Sequence, residues 1–312
     1  MAETDILGPM AESVRIQAPA KLNLALSVGP PGVDRMHPIS SWMVTIDLQD
    51  EIELTRREDP PLSLYAIEWH KEAVRRPEID WPISRDLAAR AHQALEHHVG
   101  RKLPVRMRVS KRIPTGSGLG GGSADAAAVL RGTNELFELG LDLDQLCRLG
   151  AELGSDVPFL IQGGSAIVEG LGEQIEQRPE IPALAATLVL PEEHCDTGQV
   201  YGWFDDLAEE GGSQGLRPEA VRALTDGPLD PEAPFNDLTE PALRAAPGLR
   251  DLMQQISEVA ERPVHLTGSG AGLFVVCDES IHAEALAQAI TAGLGHTAIA
   301  VTATPPAASY PA

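Results

Sequence analysis

A glycine-rich stretch in the first half of the chain has the composition of a phosphate-binding loop. Residues 114–123 are Pro-Thr-Gly-Ser-Gly-Leu-Gly-Gly-Gly-Ser and lead into a stretch rich in alanine and leucine that predicts a helix. Glycine lets the backbone approach a ligand closely, and the N–H groups at a helix N-terminus attract negative charge. Ser123 is placed to cap the helix and to help hold Mg²⁺. We predict that this segment, called the phosphate loop below, binds the phosphates of a nucleotide.

Three other interpretations of the same stretch fit less well. Gly116, Gly118 and Gly121 have the spacing of a dinucleotide fingerprint, but that fingerprint belongs in the first βαβ unit and needs an acidic residue about 20 residues further on. Glu135 and Glu138 come too early for that role. A Walker loop needs a Lys-Ser or Lys-Thr pair after the glycines, and none follows. A flexible linker would not explain why so many glycines precede a strong helix.

Four stretches, in this order along the chain, resemble the motifs of the galactokinase, homoserine kinase, mevalonate kinase and phosphomevalonate kinase (GHMP) superfamily. They are Ala-Pro-Ala-Lys-Leu-Asn-Leu at 18–24, the phosphate loop and following helix at 114–127, Gly-Ser-Asp-Val-Pro-Phe at 154–159, and Leu-Thr-Gly-Ser-Gly-Ala at 266–271. The resemblance implies an α+β fold with two domains, the N-terminal one like ribosomal protein S5 domain 2 and the C-terminal one ferredoxin-like. It places the site in the cleft between them.

The resemblance also assigns the phosphoryl-transfer chemistry. Asp156 is expected to be the catalytic base that takes the proton of the acceptor hydroxyl, and Lys21 is expected to lie beside it and screen the γ-phosphate. The alternatives are that Asp156 only caps the short helix announced by Pro158 and that Lys21 is a solvated strand lysine. The residues predicted to bind ATP, with Mg²⁺ and without a metal site built from protein side chains, are Lys111, Pro114, Gly116, Ser117, Gly118, Leu119, Gly120, Gly121, Gly122 and Ser123. Lys111 has the alternative of a surface lysine.

The other end of the acceptor is expected to meet a second group of residues. In the resembled kinases the histidine at the position of His37 hydrogen-bonds a cytosine and a tyrosine stacks on it, but that tyrosine is Met36 here. Methionine covers an aromatic face with less geometric definition, and base stacking contributes about 1–3 kcal/mol per base. Tyr201 is a candidate second stacking partner. Met36 and the neighbouring Pro38 therefore leave open which base or acceptor is bound.

The residues predicted to bind the substrate are Asn23, His37, Thr197, Tyr201, Gly268 and Gly270. His37 and Tyr201 have ordinary alternatives, as a loop histidine and a half-buried helix aromatic, and the glycine pair has the alternative of a strand turn. On the adenine side, the asparagine that heads a helix in the resembled kinases is Asp86 here. This exchange removes a hydrogen-bond donor and puts one adenine contact in question.

Apolar periodicity predicts strands and helices in both halves of the chain. Strands are expected at residues 14–16, 22–28, 42–48, 51–54, 105–109, 166–169, 186–190, 264–266, 273–276 and 297–302, with Pro19 breaking the first two apart. Helices are expected at residues 83–97, 124–139, 142–153, 219–224, 240–246, 249–259 and 283–292. Asp142 and Gln145 have the spacing of a capping box. Strands followed by helices, twice, favour an α+β arrangement over a doubly wound parallel sheet.

Prolines cluster at residues 178–182 and predict a domain boundary there. An ATP-binding domain is expected at residues 1–178 and a C-terminal domain at 179–312. Residues 1–13 have the composition of a loose leader. The segment from about residue 303 is rich in proline and alanine and is predicted to be disordered.

The charge balance restricts the partners of the chain. The 312 residues carry a formal charge of −22, from 24 Lys and Arg against 46 Asp and Glu, which repels nucleic acid and anionic membranes. Three separated cysteines without a CxxC pair favour a reducing compartment, and no run of about 18 apolar residues occurs. We expect a cytoplasmic protein with a small-molecule substrate, present as a monomer or weak homodimer, with no nucleic-acid or membrane partner.

The wording of the motifs favours one reaction among several. The Gly-Leu-Gly-Gly-Gly-Ser run is most similar to GHMP kinases that phosphorylate the 2-hydroxyl of a cytidine-diphosphate-linked methylerythritol, a step toward isoprenoid precursors outside the mevalonate route. Another GHMP kinase, acting on homoserine, mevalonate or a sugar, is the alternative within the superfamily. A nicotinamide oxidoreductase and a non-catalytic nucleotide-binding protein are alternatives outside it. The second of these would be expected to lack Asp156 or Lys21, and both are present.

Overall fold

The computed structural model describes residues 12–33, 35–58, 60–211 and 215–307, so the leader expected at residues 1–13 lies almost wholly outside the described residues. The strands are β1 Ser13–Val28, β2 Ile39–Arg56, β3 Leu64–Trp69, β4 Val105–Lys111, β5 Ser165–Gly170, β6 Gln174–Arg178, β7 Ala185–Leu190, β8 Phe235–Asn236, β9 His265–Leu266, β10 Leu273–Cys277 and β11 Thr297–Thr302. The helices are α1 Leu87–Val99, α2 Gly121–Leu136, α3 Leu143–Ala151, α4 Val157–Gln162, α5 Thr197–Glu209, α6 Pro218–Ala223, α7 Thr239–Ala245, α8 Gly248–Ala260 and α9 Ser280–Leu294, with a 3₁₀ turn at Ile83–Arg85.

The larger sheet is built around the long antiparallel pair of β1 and β2. Its order is β3-β4-β2-β1-β8, and β5 pairs with the first part of β2 and with β6. A smaller sheet has the order β11-β7-β10-β9. Strands and helices are segregated into layers, which confirms the α+β class. No helix within the described ranges is long and apolar enough to cross a membrane.

The first two strands are longer than the sequence suggested. Pro19 does not break β1, and the two short strands expected on each side of the hairpin are continuous in β1 and in β2. The ladder instead shifts register between Pro19 and Lys21, and again between Asn23 and Ala25. A proline has no N–H to donate, so a register irregularity is where a strand tolerates it. The hairpin therefore stays whole, and the irregularities fall beside the two polar residues of the first motif.

Helix α2 packs on β1 and β2 and begins at the phosphate loop. Its small residues bring it close to the sheet, and the buried ones include Ala124, Ala126, Ala127 and Ala128. Helix α3 begins with the expected capping box, because the Asp142 carboxylate accepts from the Gln145 N–H and the Gln145 side chain accepts from the Asp142 N–H. The positions of α2, α3 and α4 in one layer place the ends of two motifs on the same side of the sheet.

The chain leaves the larger sheet after β6, close to the predicted boundary at residues 178–182, but it returns twice. β8 pairs in parallel with β1, and the last described residues bond to β2 and to the end of α4. The disorder expected from about residue 303 is therefore wrong for residues 303–307. Thr304 donates its N–H to the Thr45 carbonyl at 2.8 Å, and Ala307 donates to the Gln162 carbonyl at 3.0 Å. Short polar and proline residues can pair with an open strand edge when they have no core of their own to join.

Two helical glycines predict opposite effects of alanine on stability. A Cβ on Gly132 of α2 would lie 2.0 Å from Ile16 Cδ1 and 2.9 Å from Leu54 Cδ1, whereas a Cβ on Gly293 of α9 would meet nothing within 4 Å. We expect Gly132→Ala to lower the free energy of unfolding by about 1–3 kcal/mol through overpacking. Gly293→Ala should raise it by about 0.4–1 kcal/mol. Urea unfolding followed by circular dichroism measures both, and equal effects would contradict the close contact of α2 with the sheet.

Candidate active site

A cleft of about 690 Å³ gathers the residues that the motifs singled out for catalysis and substrate binding. Every one of those expected residues lines it, namely Lys21, Asn23, His37, Asp156, Thr197, Tyr201, Gly268 and Gly270. They come from β1, the loop before β2, the turn before α4, helix α5 and the turn after β9. Residues more than 240 positions apart in sequence, such as Asn23 and Gly268, are in hydrogen-bond contact there. The fold therefore brings the separate motifs to one place.

Lys21 and Asp156 face each other at the floor of the cleft. The Lys21 Nζ lies 3.6 Å from the Asp156 Oδ2 and donates at 2.6 Å to the Asn23 Oδ1. The Lys21 side chain is 4% exposed and that of Asp156 is 25% exposed. Asp156 stands at the N-cap position of α4, but its side chain makes no capping hydrogen bond. Its carboxylate is therefore available to the cleft.

Asn23 is a hub that ties β1 to the glycine turn at residues 267–270. Its Oδ1 accepts from the Lys21 Nζ and from the Gly268 N–H at 3.0 Å, and its Nδ2 donates to the Ser41 Oγ at 2.8 Å. The Asn23 N–H donates to the Thr267 Oγ1 at 3.1 Å. These bonds occupy most of the amide's donors and acceptors. The contact expected between Asn23 and substrate stays a prediction, and the geometry gives Asn23 the further task of orienting Lys21.

The phosphate loop separates the cleft from a second cavity of about 250 Å³. Gly116, Gly118 and Gly120 line both cavities, and all three have φ near +70°. The second cavity is lined by residues of the loop together with Leu87, Lys111 and Ile113. Among the described residues, no acceptor receives a hydrogen bond from the amide N–H groups of residues 118–123. A row of free amides at a helix N-terminus is the arrangement that binds phosphate.

The loop leaves no space for side chains where it meets the glycine turn. A Cβ on Gly118 would lie 2.3 Å from the Thr267 carbonyl oxygen, and one on Gly268 would lie 2.8 Å from the Gly118 oxygen. The Lys21 N–H donates to the Leu119 carbonyl at 3.0 Å, which adds β1 to the same junction. Gly118 and Gly268 are thus required by backbone contact, and Gly268 and Gly270 line the cleft as expected.

The Lys111 side chain is paired with two carboxylates instead of being free to bind a nucleotide. Its Nζ donates to the Asp50 Oδ2 and to the Asp125 Oδ2, each at 2.6 Å, and all three side chains are buried. The Asp50 Oδ1 also accepts from the N–H groups of Arg112 and of Ile113, the latter at 2.8 Å. This group, called the buried triad below, joins the residues before the phosphate loop to the helix after it. Lys111 borders the loop cavity, but its charge is already neutralised, so the geometry favours a supporting role.

The charges of the buried triad shift its titration. Burial on its own lowers the pKa of the Lys111 ammonium, but the charges of Asp125 and Asp50 raise that pKa above its ordinary value. Burial raises the pKa of the Asp125 carboxyl well above its ordinary range, against the opposing charge of Lys111. The Asp125 Oδ1 is buried and has no hydrogen-bond partner among the described residues. One ammonium shared by two carboxylates leaves the second carboxylate poorly compensated.

The far end of the cleft is lined by aromatic rings. The His37 ring lies 4.9 Å from the Tyr201 ring and 5.6 Å from the Phe204 ring, measured between centroids. Its Nδ1 is 3.0 Å from the Gly29 carbonyl oxygen, and its Nε2 is 3.6 Å from the Asp205 Oδ1. Burial and, to a smaller extent, the charge of Asp156 raise the pKa of Tyr201 to about 12, so its hydroxyl stays protonated at neutral pH. These groups offer ring faces and directed polar atoms to a planar ligand.

Sequence reasoning missed two charged residues of the cleft, and the adenine contact that it questioned at Asp86 stays a prediction. Arg35 and Asp205 both line the cleft, and neither stands in a spacing of residue types that indicates a site. Arg35 has φ +63°, so only its backbone conformation marks it. Asp86 is fully used in structure, because its Oδ1 accepts from the Ala88 N–H and its Oδ2 accepts from the Trp81 Nε1 at 3.0 Å. The exchange of amide for carboxylate at that position therefore has a local structural reason.

Within the described ranges, no group of three or more His, Cys, Asp or Glu side chains could hold a metal ion. The Ser123 hydroxyl lies at the end of the phosphate loop, 3.7 Å from the position that a Cβ on Gly154 would take. Mg²⁺ in kinases is bound largely by substrate phosphates and a few protein oxygens. The available oxygens fit that mode of binding.

The layered α+β architecture, the phosphate loop and the Lys21–Asp156 pair define a small-molecule kinase of the GHMP class. Residues 86–164 match the model of the GHMP kinases N terminal domain. Solved structures of a homoserine kinase from Cytophaga hutchinsonii and of the Methanococcus jannaschii mevalonate kinase share the fold, with TM-scores of 0.67 and 0.64 at 17% and 11% identity. The match to the homoserine kinase covers 97% of this chain and 98% of that one, and the match to the mevalonate kinase covers 95% of this chain and 100% of that one.

More similar proteins narrow the class to one family. A 4-diphosphocytidyl-2-C-methyl-D-erythritol kinase of Pseudarthrobacter chlorophenolicus is 33% identical over 295 residues, which cover 89% of each chain. One of Paenarthrobacter aurescens is 32% identical over 306 residues, which cover 93% of each. The crystal structure of a 4-(cytidine 5'-diphospho)-2C-methyl-D-erythritol kinase has a TM-score of 0.71 at 29% identity, covering 93% of this chain and 100% of its own. The chain belongs to the 4-diphosphocytidyl-2-C-methyl-D-erythritol kinase family.

The buried triad predicts unequal costs for two substitutions. Lys111→Met leaves two buried carboxylates without a cation, and we expect it to lower the free energy of unfolding by about 3–5 kcal/mol. Asp125→Asn leaves one ammonium with one carboxylate and should cost much less. Urea unfolding at neutral pH compares them. A Lys111→Met loss no larger than that of Asp125→Asn would show that the triad does not carry its charges in this way.

The raised pKa of Asp125 gives a pH test with a definite sign. Burial raises its folded-state pKa well above the ordinary value of an aspartate, so the folded protein holds this proton more tightly than the unfolded chain does. The resulting stabilisation is complete below the unfolded pKa and is lost as pH rises through the folded pKa. As pH rises above about 4, the stability of the native chain should fall relative to that of Asp125→Asn. Parallel stability curves for the two proteins would contradict the raised pKa.

Proposed function

We propose that the chain transfers the γ-phosphate of ATP to the 2-hydroxyl of 4-diphosphocytidyl-2-C-methyl-D-erythritol, in the formation of isoprenoid precursors. The observation that carries this proposal is the position of the phosphate loop between two cavities. Gly116, Gly118 and Gly120 border both, and Lys21 and Asp156 line the larger one. A nucleotide with its phosphates on the loop would therefore present its terminal phosphate to an acceptor held beside Asp156.

The proton of the acceptor hydroxyl is taken by the Asp156 carboxylate. That carboxylate makes no cap bond to α4, and it is partly exposed to the cleft, so a hydroxyl can approach it. A positioned general base contributes about 10²–10⁴ in rate. The oxygen freed of its proton then attacks the terminal phosphorus, and the bond from that phosphorus to the bridging oxygen of ADP breaks.

Lys21 holds charge at the point of transfer. The Asn23 Oδ1 at 2.6 Å orients its ammonium, and Asp156 at 3.6 Å leaves that ammonium within reach of a phosphate oxygen. The free amides of residues 118–123 bind the phosphates by dipoles and hydrogen bonds that need no rearrangement during the reaction. Mg²⁺, held by phosphate oxygens with the Ser123 hydroxyl nearby, would neutralise charge on the phosphates. Each of these groups acts locally, on a chain whose net charge is negative.

The nucleobase of the acceptor packs against the ring faces at the far end of the cleft. His37 and Tyr201 lie there, and the Thr197 Oγ1 is 2.9 Å from the Ser269 Oγ at the mouth of the glycine turn. Met36 lines the same region in place of an aromatic residue. Arg35 beside it is exposed, and it forms no ion pair with a residue that the structure describes. Its guanidinium is suited to the diphosphate of the acceptor.

The direct test is ³¹P NMR of the purified chain with MgATP and 4-diphosphocytidyl-2-C-methyl-D-erythritol. A new phosphomonoester signal that grows with ADP is expected. Homoserine, mevalonate and a sugar alcohol serve as comparison acceptors in the same tube. Transfer to one of these and not to the cytidine compound would replace the proposed acceptor while keeping the kinase. A cytoplasmic location and a monomeric or weakly dimeric state stay predictions of the sequence.

Removal of the base should separate chemistry from binding. Asp156→Asn is expected to lower kcat by about 10²–10⁴ while the affinity for ATP, measured by calorimetry, changes little. Asp205→Asn is the matched control, because Asp205 lines the same cleft next to His37 but does not touch Lys21. It should raise the KM of the acceptor and leave kcat within a few-fold. A full kcat in Asp156→Asn would remove Asp156 from the mechanism.

Replacement of Arg35 by glycine should stabilise the fold and weaken acceptor binding. A left-handed backbone conformation costs a side-chain-bearing residue about 1 kcal/mol, which glycine avoids. Arg35→Gly is therefore expected to raise the melting temperature by about 2 °C and to raise the KM of the acceptor about tenfold, without changing the KM of ATP. Glu261→Gly is the control, since Glu261 has φ +51° at the end of α8, outside the cleft. A variant Arg35→Gly with unchanged acceptor KM would exclude Arg35 from binding.

A further inference from the structure

The C-terminal segment, residues 302–307, lies on an open edge of β2. Along that edge β5 pairs with β2 only as far as Val44, and β4 pairs with it only from Glu51 onward. On the opposite edge, the register shift in β1 leaves three residues of β2, 46–48, without a ladder partner. The segment therefore meets β2 where neither neighbouring strand supports it. Extra residues in one strand locally bend it and change the direction of nearby side chains.

The segment fills this gap with specific hydrogen bonds. A bridge joins Ala303 to Ile46, and the Thr302 N–H and hydroxyl donate to the Asp47 carboxylate at 3.0 and 2.8 Å. The Thr304 N–H donates to the Thr45 carbonyl at 2.8 Å. Backbone groups that β2 would otherwise leave unpaired at this point thus gain partners.

Thr45 connects the segment to both catalytic residues. It is the direct ladder partner of Lys21 and is fully buried. Its Oγ1 accepts from the Gly164 N–H at 2.9 Å and from the Thr304 hydroxyl at 2.9 Å, and its N–H donates to the Gly164 carbonyl at 2.8 Å. Gly164 follows the end of α4, whose N-cap is Asp156. Thr45 is therefore in contact both with the strand that carries Lys21 and with the end of the helix that begins at Asp156.

The segment also holds the end of α4 directly. The Ala307 N–H donates to the Gln162 carbonyl at 3.0 Å, and a bridge joins Pro306 to Gly163. A Cβ on Gly163 would lie 3.1 Å from the Ala307 nitrogen. Helix α4 has only six residues, so a displacement of its last turn moves its first.

We propose that the C-terminal segment and Thr45 position the catalytic pair, by fixing the end of α4 relative to the part of β1 that carries Lys21. Neither lines the cleft, so both act through Lys21 and Asp156. The kinetic test of this inference rests on the proposed function, whereas the hydrogen-exchange test rests on the structure alone. Displacement of reacting groups by about 1 Å can lower a rate about 10²-fold without removing any of them.

The kinetic test compares two truncated chains in the ³¹P or coupled assay. Removal of residues 303–312 is expected to lower kcat about 10–100-fold, with the KM of ATP changed less than about twofold. Removal of residues 308–312 alone is the matched control and should leave kcat unchanged. Rates are expressed per nucleotide-binding site counted by calorimetry, so that unfolded protein does not lower the apparent kcat. An unchanged kcat per site in the longer truncation would overturn the proposal.

Substitutions at Thr45 test the same network in the full-length chain. Thr45→Val keeps the shape of the side chain but removes its hydroxyl, and it should lower kcat per site about tenfold. Thr45→Ser keeps the hydroxyl and should restore most of that rate. Equal rates for Val and Ser at this position would show that only packing matters there, and would overturn the assignment to Thr45.

Hydrogen exchange gives a measurement that does not depend on the reaction. In the chain lacking residues 303–312, amides of α4 and of residues 163–164 should exchange at least about tenfold faster than in the control truncation, while those of α1 should not change. Unchanged exchange at α4 would overturn the positioning role even if the rate fell. A native chain that transfers no phosphate, together with faster exchange at α4, would instead reject the proposed function and keep the role of the segment.

Discussion

The ammonium group of Lys21 is almost completely withdrawn from water, and the rest of the site is arranged to satisfy it. A buried charge is tolerated only where partners replace its lost solvation. Asn23 supplies an oxygen at 2.6 Å and Asp156 a carboxylate at 3.6 Å. The Asn23 oxygen is close enough to form a full hydrogen bond, so the amide orients the ammonium. The Asp156 carboxylate is too far away for one, so the ammonium can still donate a hydrogen bond to another anion. In the proposed function, that anion is the transferred phosphate.

The second buried lysine shows the contrasting case. Lys111 has two carboxylates at 2.6 Å and no capacity left. It lies beneath the phosphate loop, where Asp50 holds the amides that lead into the loop and Asp125 belongs to the helix that follows. A loop rich in glycine has many accessible conformations, and its ends must be held if its amides are to converge on a ligand. The incompletely paired Lys21 is thus suited to binding an anion, whereas the fully paired Lys111 is suited to holding the ends of the loop in place.

The sequence predicted the class of fold, the phosphate loop and the composition of the cleft, because each depends on local patterns of residue type. It misjudged features that depend on what lies opposite. Pro19 predicts a strand break, but a register shift against β2 accommodates it. For Lys111 the sequence did not reveal the two aspartates, 61 and 14 positions away, that lie beside it, and its contact with the nucleotide stays a prediction. The composition of residues 303–307 predicts disorder, and only the open edge of β2 explains their order. Long-range pairing of this kind leaves no trace in periodicity.

A chain with a net charge of −22 binds phosphates only if its general field is weak at the site. Exposed charges farther away than about 8 Å are largely screened at physiological ionic strength, so most of the acidic surface contributes little there. Within the described part of the chain, the interactions that remain are short: the six free amides of residues 118–123, the incompletely paired Lys21 ammonium, the hydroxyl of Ser123 and the Arg35 guanidinium. Amides and hydroxyls carry no net charge and keep their strength where a cluster of lysines would repel itself. In the proposed function, preorganised dipoles and a small number of placed cations therefore hold two polyphosphates in adjoining cavities of an acidic protein.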